Sequence, residues 1–429
     1  MSDPLKFESL ALHAGHTVDE TNARGVPVHR TSSYVFRDTD HASNLFALKE
    51  PGNIYTRIMN PTQDVLEKRV AELEGGAAAL ALASGTAAVF YSIINICKAG
   101  NEVVSANNLY GGTYTMFNDI LPDLGIKTVF VNALDLAAVE SAINDDTRVL
   151  FVETIGNPAL DVVNMRDLAD IAKKHHIPLV VDSTFTTPYL LRPIEHGADV
   201  VVHSLTKWMG GHGTGIGGVV VDSGRFDWTD EKFDLYNQPD SSYHGLRYAH
   251  DLGDMNPVAF ILRMRLVPLR NLGACMSPDN AWMFLQGIET LALRMERHSE
   301  NALIVAEFLT EHPDVEWVRY PGLPDDPAYA NAKAQFDHGF GGMVVFGIRG
   351  GETAGSKFIN ALNMFSHVAN VGDAKSLAIH PASTTHSQLS EEDQKKGGIT
   401  PDLVRLSVGI ENIADIKADL AQALEVSQS

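Results

Sequence analysis

The segment HSLTKWMGGHGTGIGG, directly after the apolar run DVVV, places Lys207 beside two hydroxyls, Ser204 and Thr206, and ahead of a row of glycines. A lysine held at the carboxyl end of a strand can form an imine with a carbonyl group. The hydroxyls can hold a phosphate, and the glycines let backbone approach a ligand closely. Other readings compete. Ser204 and Lys207 match the S-x-x-K of acyl-enzyme hydrolases, but the partner strings S-D-N and K-T-G do not occur in the chain. Gly213, Gly215 and Gly218 match G-x-G-x-x-G, but they precede an apolar run instead of following one, the wrong order for a dinucleotide fingerprint. A glycine-rich connection with no ligand fits the segment equally well.

Asp182 breaks that tie. It ends the run PLVVD, so it and Lys207 both stand at carboxyl ends of strand candidates. A pyridine cofactor joined to a lysine needs a carboxylate against its protonated ring nitrogen. Alone, Asp182 would read as a turn or helix-cap residue; with Lys207 it points to pyridoxal 5'-phosphate (PLP). Ser84, Gly85 and Thr86 precede the helical run AAVFYSIINI, and the N–H groups of a helix start suit a phosphate. Tyr55 and Arg57, in NIYTR, would face one way from an extended segment, and Arg57 could fork onto phosphate oxygens. In LVRLSVGI, Val404, Leu406 and Val408 share one strand face and leave Arg405 on the other, where a charge needs a partner.

These residues need a sheet to hold them. The first sixty residues show turn signals without sustained periodicity and read as an extended arm, residues 1–61. Asn60-Pro61 then supplies a helix cap and first-turn proline, and the helix stops at Gly75-Gly76. Beyond it, the apolar runs EVVSA, KTVFV, RVLFVET, IPLVVDS, ADVVVHS and GGVVVD alternate with segments of helical length. That rhythm predicts an α/β domain with a mainly parallel sheet buried on both faces, over residues 62–263. Residues 222–276, weakly periodic, read as an insertion or connector near the site. Ser277-Pro278 opens a long helical pattern, followed by strand candidates GGMVVFGI and LVRLSVGI, which makes residues 264–429 a smaller C-terminal α/β domain.

The 429 residues carry 33 Lys plus Arg against 54 Asp plus Glu, a net charge of −21, which argues against general binding to nucleic acid or an anionic membrane. Only Cys97 and Cys275 occur, so a disulfide framework or cysteine zinc site is excluded and a reducing cytoplasm is the expected location. No secretory signal opens the chain. Residues 75–97 hold no charge, but their glycines, serines and alanines predict a buried turn and helix rather than a membrane span. His380 and His386 lack a carboxylate or thiolate cluster at ligand spacing, so no metal is expected.

Taken together, YxR, SGT, LYGGT, VDSTF and SxTK, in this order, resemble the Cys/Met-metabolism branch of fold-type I PLP-dependent transferases over nearly the whole chain. The resemblance implies Lys207 as the Schiff-base lysine and Asp182 as the pyridinium partner. It implies Gly85, Thr86, Ser204 and Thr206 around the phosphate, with Tyr55 and Arg57 reaching it from a neighbouring subunit. Such a site requires a homo-oligomer, with a tetramer as the expected form. Tyr110 would stack on the ring and assist proton transfer, Asn157 would sit near the phenolic oxygen and the substrate, and Arg405 and Asn370 would face the substrate.

Within the branch, the chain is similar to the O-acetylhomoserine sulfhydrylases. Related lyases and cystathionine-forming enzymes carry Ser-Asp where this chain has Gly213-Thr214, and serine where it has Asn370. Methionine γ-lyases carry cysteine where it has Gly112. The implied reaction is γ-replacement: O-acetyl-L-homoserine and sulfide give L-homocysteine and acetate, a step of methionine biosynthesis, with Lys207 shuttling protons. Cystathionine synthesis and methionine γ-lysis are the neighbouring alternatives. A Ser204 acyl-enzyme and a catalytically silent interaction module are the alternatives from other classes.

Overall fold

The computed structural model describes residues 5–381, 384 and 400–429. Seven strands form the first sheet: β1 (Ala78–Leu82), β2 (Glu102–Ala106), β3 (Lys127–Val131), β4 (Thr147–Glu153), β5 (Leu179–Asp182), β6 (Val200–Ser204) and β7 (Gly218–Asp222). Their order is β1-β7-β6-β5-β4-β2-β3. From β6 across to β3 every pair is parallel, as the helix-length spacers predict. The exception is β7, antiparallel to both β6 and β1. Residues 205–217, which carry Lys207, hold no helix to cross the sheet face, so the chain folds straight back beside β6. The non-alternating apolar runs are explained by strands such as β2 and β7, buried along their full length.

The arm is less extended than its sequence suggests. It contains α1 (Phe7–His13) and α2 (Thr39–Phe46). In α1 only Phe7 and Ala11 are buried, one turn apart, so the element is too short to show a repeat; Phe7 meets the Tyr189 ring edge-on at 5.0 Å. The next helix, α3 (Pro61–Glu74), starts as expected, with the Asn60 side chain accepting from Thr62 N. The charge-free stretch becomes β1, a turn, and α4 (Gly85–Ile96), followed after β2 by α5 (Gly111–Thr115). No described helix is long and apolar enough to cross a membrane.

Residues 223–276 form short helical pieces rather than a loop, which is why their periodicity is weak: Asp234–Asn237, then a continuous stretch from Ala259 to Leu272 interrupted by a π turn at Pro268. Trp228 stacks on Tyr236 and Phe260, while Tyr236 Oη and Arg263 both engage Asn95 in α4. The segment therefore braces α4 from outside.

The long helical pattern after Ser277 is two helices, Pro278–Glu289 and Leu291–Thr310, broken at Thr290. Just past the break, buried Arg294 donates to the carbonyls of Trp208, Met209 and Gly287, clamping the turn that follows Lys207. The second sheet comprises β8 (Val315–Arg319), β9 (Met343–Ile348), β10 (Ser366–His367), β11 (Leu377–Ile379) and β12 (Leu403–Ser407), in the order β10-β11-β12-β9-β8. Val404, Leu406 and Val408 enter its hydrophobic cluster with Phe346 and Phe358, which turns Arg405 the other way. The two sheets meet at the Lys207 turn, where Ala374 N donates to Gly211 O at 2.8 Å.

Candidate active site

The carboxyl ends of β4, β5 and β6, the start of α4, the turn before α5, and β12 converge on one cavity of about 1150 Å³. That volume suffices for a cofactor and a small substrate together. Lys207 projects into it from the turn after β6, and its Nζ donates to Asn370 Oδ1 at 2.5 Å. Burial, aided by the positive charge of Arg405, pulls the Lys207 ammonium down to about 8. Attack on a carbonyl requires the free amine, and its fraction grows as pH rises through that value. The rate at which cofactor-free protein captures PLP is therefore expected to climb with pH and level off above a midpoint near 8. Stopped-flow absorbance checks this, and a rate that is flat from pH 6 to about 10 would contradict it.

At one end of the cavity lies an anion seat. The Ser84 side chain caps α4 by accepting from Ala87 N at 3.0 Å. A Cβ added at Gly85 would fall 2.6 Å from Ser204 Cβ, so only glycine lets the helix start sit against the end of β6. The first-turn N–H groups of Gly85 and Thr86 have no intrahelical acceptor and favour a phosphate. Ser204 and Thr206 both line the cavity. The Thr206 hydroxyl also staples the loop, accepting from Gly217 N at 3.1 Å. Among the described residues, Ser204 Oγ has no hydrogen bond to a general base, so nothing activates it as an acyl-enzyme nucleophile.

On the cavity floor, Asp182 Oδ1 accepts from Thr184 N at 3.0 Å. Burial raises its carboxyl, while the Thr184 hydrogen bonds and the His203 charge hold it down. Beside it stands a residue that the sequence reading passed over. Glu153 on β4 pairs in register with Asp182 on β5, and its Oε1 accepts from Tyr110 N at 2.7 Å. Burial, then the negative charge of Asp182, pushes the Glu153 carboxyl well above the usual range. The signal was present: Glu153 closes the apolar run RVLFVE just as Asp182 closes PLVVD.

Tyr110 itself rims the cavity with an exposed ring, and Gly112 lies under it, where a Cβ would come within 2.6 Å of Tyr110 Cε1. Across from it, Arg405 is 6% exposed and donates Nη1 to Asn157 Oδ1 at 3.1 Å. Among the described residues it has no carboxylate partner. Burial pulls its pKa to about 10, with the Tyr110 phenol acting in the opposite sense. A buried guanidinium without a counter-ion is set to receive an anion.

Two expected residues are not brought to this cavity within the chain. Arg57 donates Nε to Arg270 O at 3.0 Å and lies 4.8 Å from the Tyr55 ring centroid; neither residue lines the cavity. Residues 222–276, expected near the site, contribute no lining residue either. His380 Nε2 lies 2.8 Å from Pro401 O, while His386 lies outside the described residues. An amine, an anion seat at a helix start and a carboxyl-bearing floor occupy one cavity, and that combination fits PLP.

The family profile described as "Cys/Met metabolism PLP-dependent enzyme" matches residues 8–425. The chain is 55% identical to the O-acetyl-L-homoserine sulfhydrylase of Leptospira meyeri, over 98% of this chain and 97% of that one. It is 50% identical to the homocysteine synthase of Schizosaccharomyces pombe, over 98% of each. A Campylobacter jejuni crystal structure described as an O-acetylhomoserine (thiol)-lyase, with a pyridoxyl-lysine monophosphate, superposes with a TM-score of 0.95 at 42% identity, covering 98% of this chain and all of the other.

Proposed function

The chain belongs to the Cys/Met metabolism PLP-dependent enzymes, and from that membership we propose that it replaces the acetoxy group on Cγ of O-acetyl-L-homoserine with sulfide. The products are L-homocysteine and acetate, in methionine biosynthesis. The observation that carries this reading is Arg405: a buried cation without a carboxylate partner among the described residues, in the cavity that holds Lys207. It suits the α-carboxylate of an amino acid.

When bound, PLP supplies an electron sink for the pair left as a substrate Cα–H bond breaks. The protein supplies the rest. Arg405, oriented by Asn157, binds the substrate carboxylate and fixes which Cα bond faces the Lys207 amine. The amine, more readily freed than an ordinary lysine because burial and then Arg405 pull its ammonium down to about 8, takes the α-proton and returns it after exchange at Cγ. Asn370 receives an N–H of that amine and limits its swing. Tyr110, whose phenol faces Arg405, is the proposed second proton carrier. Gly85, Thr86, Ser204 and Thr206 would hold the phosphate, and Asp182 would face the ring nitrogen. Homocysteine formation from O-acetylhomoserine and sulfide tests the reading, run beside O-succinylhomoserine with cysteine and methionine alone. A higher rate in either of the last two would overturn it.

Tyr55 and Arg57 lie outside the cavity of their own chain, which supports a homo-oligomer, proposed as a tetramer, in which each copy completes the other's phosphate site. Mixing inactive Lys207→Ala and Arg57→Ala proteins under subunit exchange should then restore about a quarter of the parental activity, because half of the dimers regain one intact site of two. No recovery, with exchange shown by mass spectrometry, would mean unshared sites. Both cysteines are free, in keeping with the reducing cytoplasm proposed as its location.

A further inference from the structure

Two strand ends side by side, each carrying a carboxyl, are an unusual floor for a site that needs one anion. Neighbouring strands lie about 4.8 Å apart, and in-register residues of a parallel pair point to the same face. Glu153 and Asp182 therefore share the cavity floor. Their surroundings differ. Asp182 receives the Thr184 N–H and feels His203 on β6, itself bonded to Glu74 on the far side of the sheet. Among the described residues, Glu153 receives only a backbone N–H, that of Tyr110, the residue that starts the α5 turn. The other charged groups on the cavity wall are Lys207 and Arg405, while the ends of β2 and α4 packed against β4 bring no titratable side chain.

We propose that Glu153 is a positioning residue. It ties the Tyr110 turn to the sheet, and it leaves Asp182 as the single anion facing the cofactor. The hydrogen bond from Tyr110 N requires an oxygen acceptor and no negative charge. Two buried carboxylates at strand spacing repel, so the pair holds one proton. Burial and the Asp182 charge both act to keep that proton on Glu153. Tyr110 is otherwise loosely placed: its ring is exposed and lies over Gly112, which offers no side chain to grip. The anchored backbone is what aims the phenol toward Arg405.

The inference rests on the PLP reading, so the first measurement is PLP binding by the parent protein: failure there sinks that reading, whereas the variants judge Glu153. Glu153→Leu leaves the Tyr110 N–H without its acceptor, which costs more than the net worth of one hydrogen bond, and should weaken PLP binding more than about 10-fold, with kcat falling further than KM rises. Glu153→Gln keeps an acceptor oxygen and is always neutral. It should recover most of that affinity and leave the midpoint of the bound cofactor's absorbance titration within about half a unit of the parent's. A larger shift means that Glu153 had been charged and overturns the proposal, as does a Leu variant that binds and absorbs like the parent. Thermal unfolding of the cofactor-free proteins separates a folding defect from a local one. If the Leu variant does not fold, the Gln titration decides alone.

Discussion

Lys207→Ala is expected to lower homocysteine formation at least about 10⁴-fold, because one amine is both the covalent anchor and the proton carrier. Borohydride treatment followed by mass spectrometry should find a pyridoxyl label in the parent and none in the variant. Ser204→Ala is the informative contrast. The Ser204 hydroxyl lines the cavity without a base beside it, so its loss should weaken PLP binding by about 10-fold at most, one hydrogen bond's worth, and leave the label in place. The reverse pattern, with activity abolished by Ser204→Ala and spared by Lys207→Ala, would return the site to acyl-enzyme chemistry.

Arg405→Leu should cost about 10³-fold in kcat/KM for the amino-acid substrate, as expected when one partner of a buried charge pair is removed. PLP affinity should change little, since the hydrogen-bond partner of Arg405 is Asn157 and not a residue of the anion seat. Its second effect is diagnostic. Arg405 is the lesser of two causes holding the Lys207 ammonium down, after burial. Without that cation the Lys207 pKa moves up, so the midpoint of PLP capture should shift to higher pH while staying below the ordinary lysine value. Rate measurements with the acetyl ester and with its amide, which lacks the carboxylate charge, should converge in the variant. If the parent already treats the two alike, Arg405 has another partner.

Most of the site was legible in the sequence because its residues lie at the ends of apolar runs, just beyond them, or interrupt them. Asp182, Lys207 and Arg405 are polar or charged groups at positions where strand patterning demanded an explanation, and the structure gives each one the same cavity. The pieces that escaped were those whose meaning depends on neighbours distant in sequence. Glu153 ends its strand in the same manner as Asp182, yet only the β4–β5 register shows that the two carboxyls share a floor. The reversed direction of β7 follows from the missing crossover helix, which strand composition does not encode. The two-turn α1 and the short pieces within 223–276 were too brief for a period to show. Tyr55 and Arg57 were found as a pair, but their own chain turns them away from the cavity.

The clamp around the Lys207 turn has a mechanical corollary. Arg294 grips the turn through the Trp208 and Met209 carbonyls, and the β10–β11 connection of the second sheet grips it through Ala374 and Gly211. The nucleophilic amine thus rides on a rivet joining the two sheets, and β12, which carries Arg405, is part of the plate riveted on. Substrate entry cannot pry one sheet from the other without displacing the amine. Access must come from the side of the cavity where Tyr110 is exposed, and the amides of Gly211 and Ala374 should be among the slowest in the protein to exchange with deuterium.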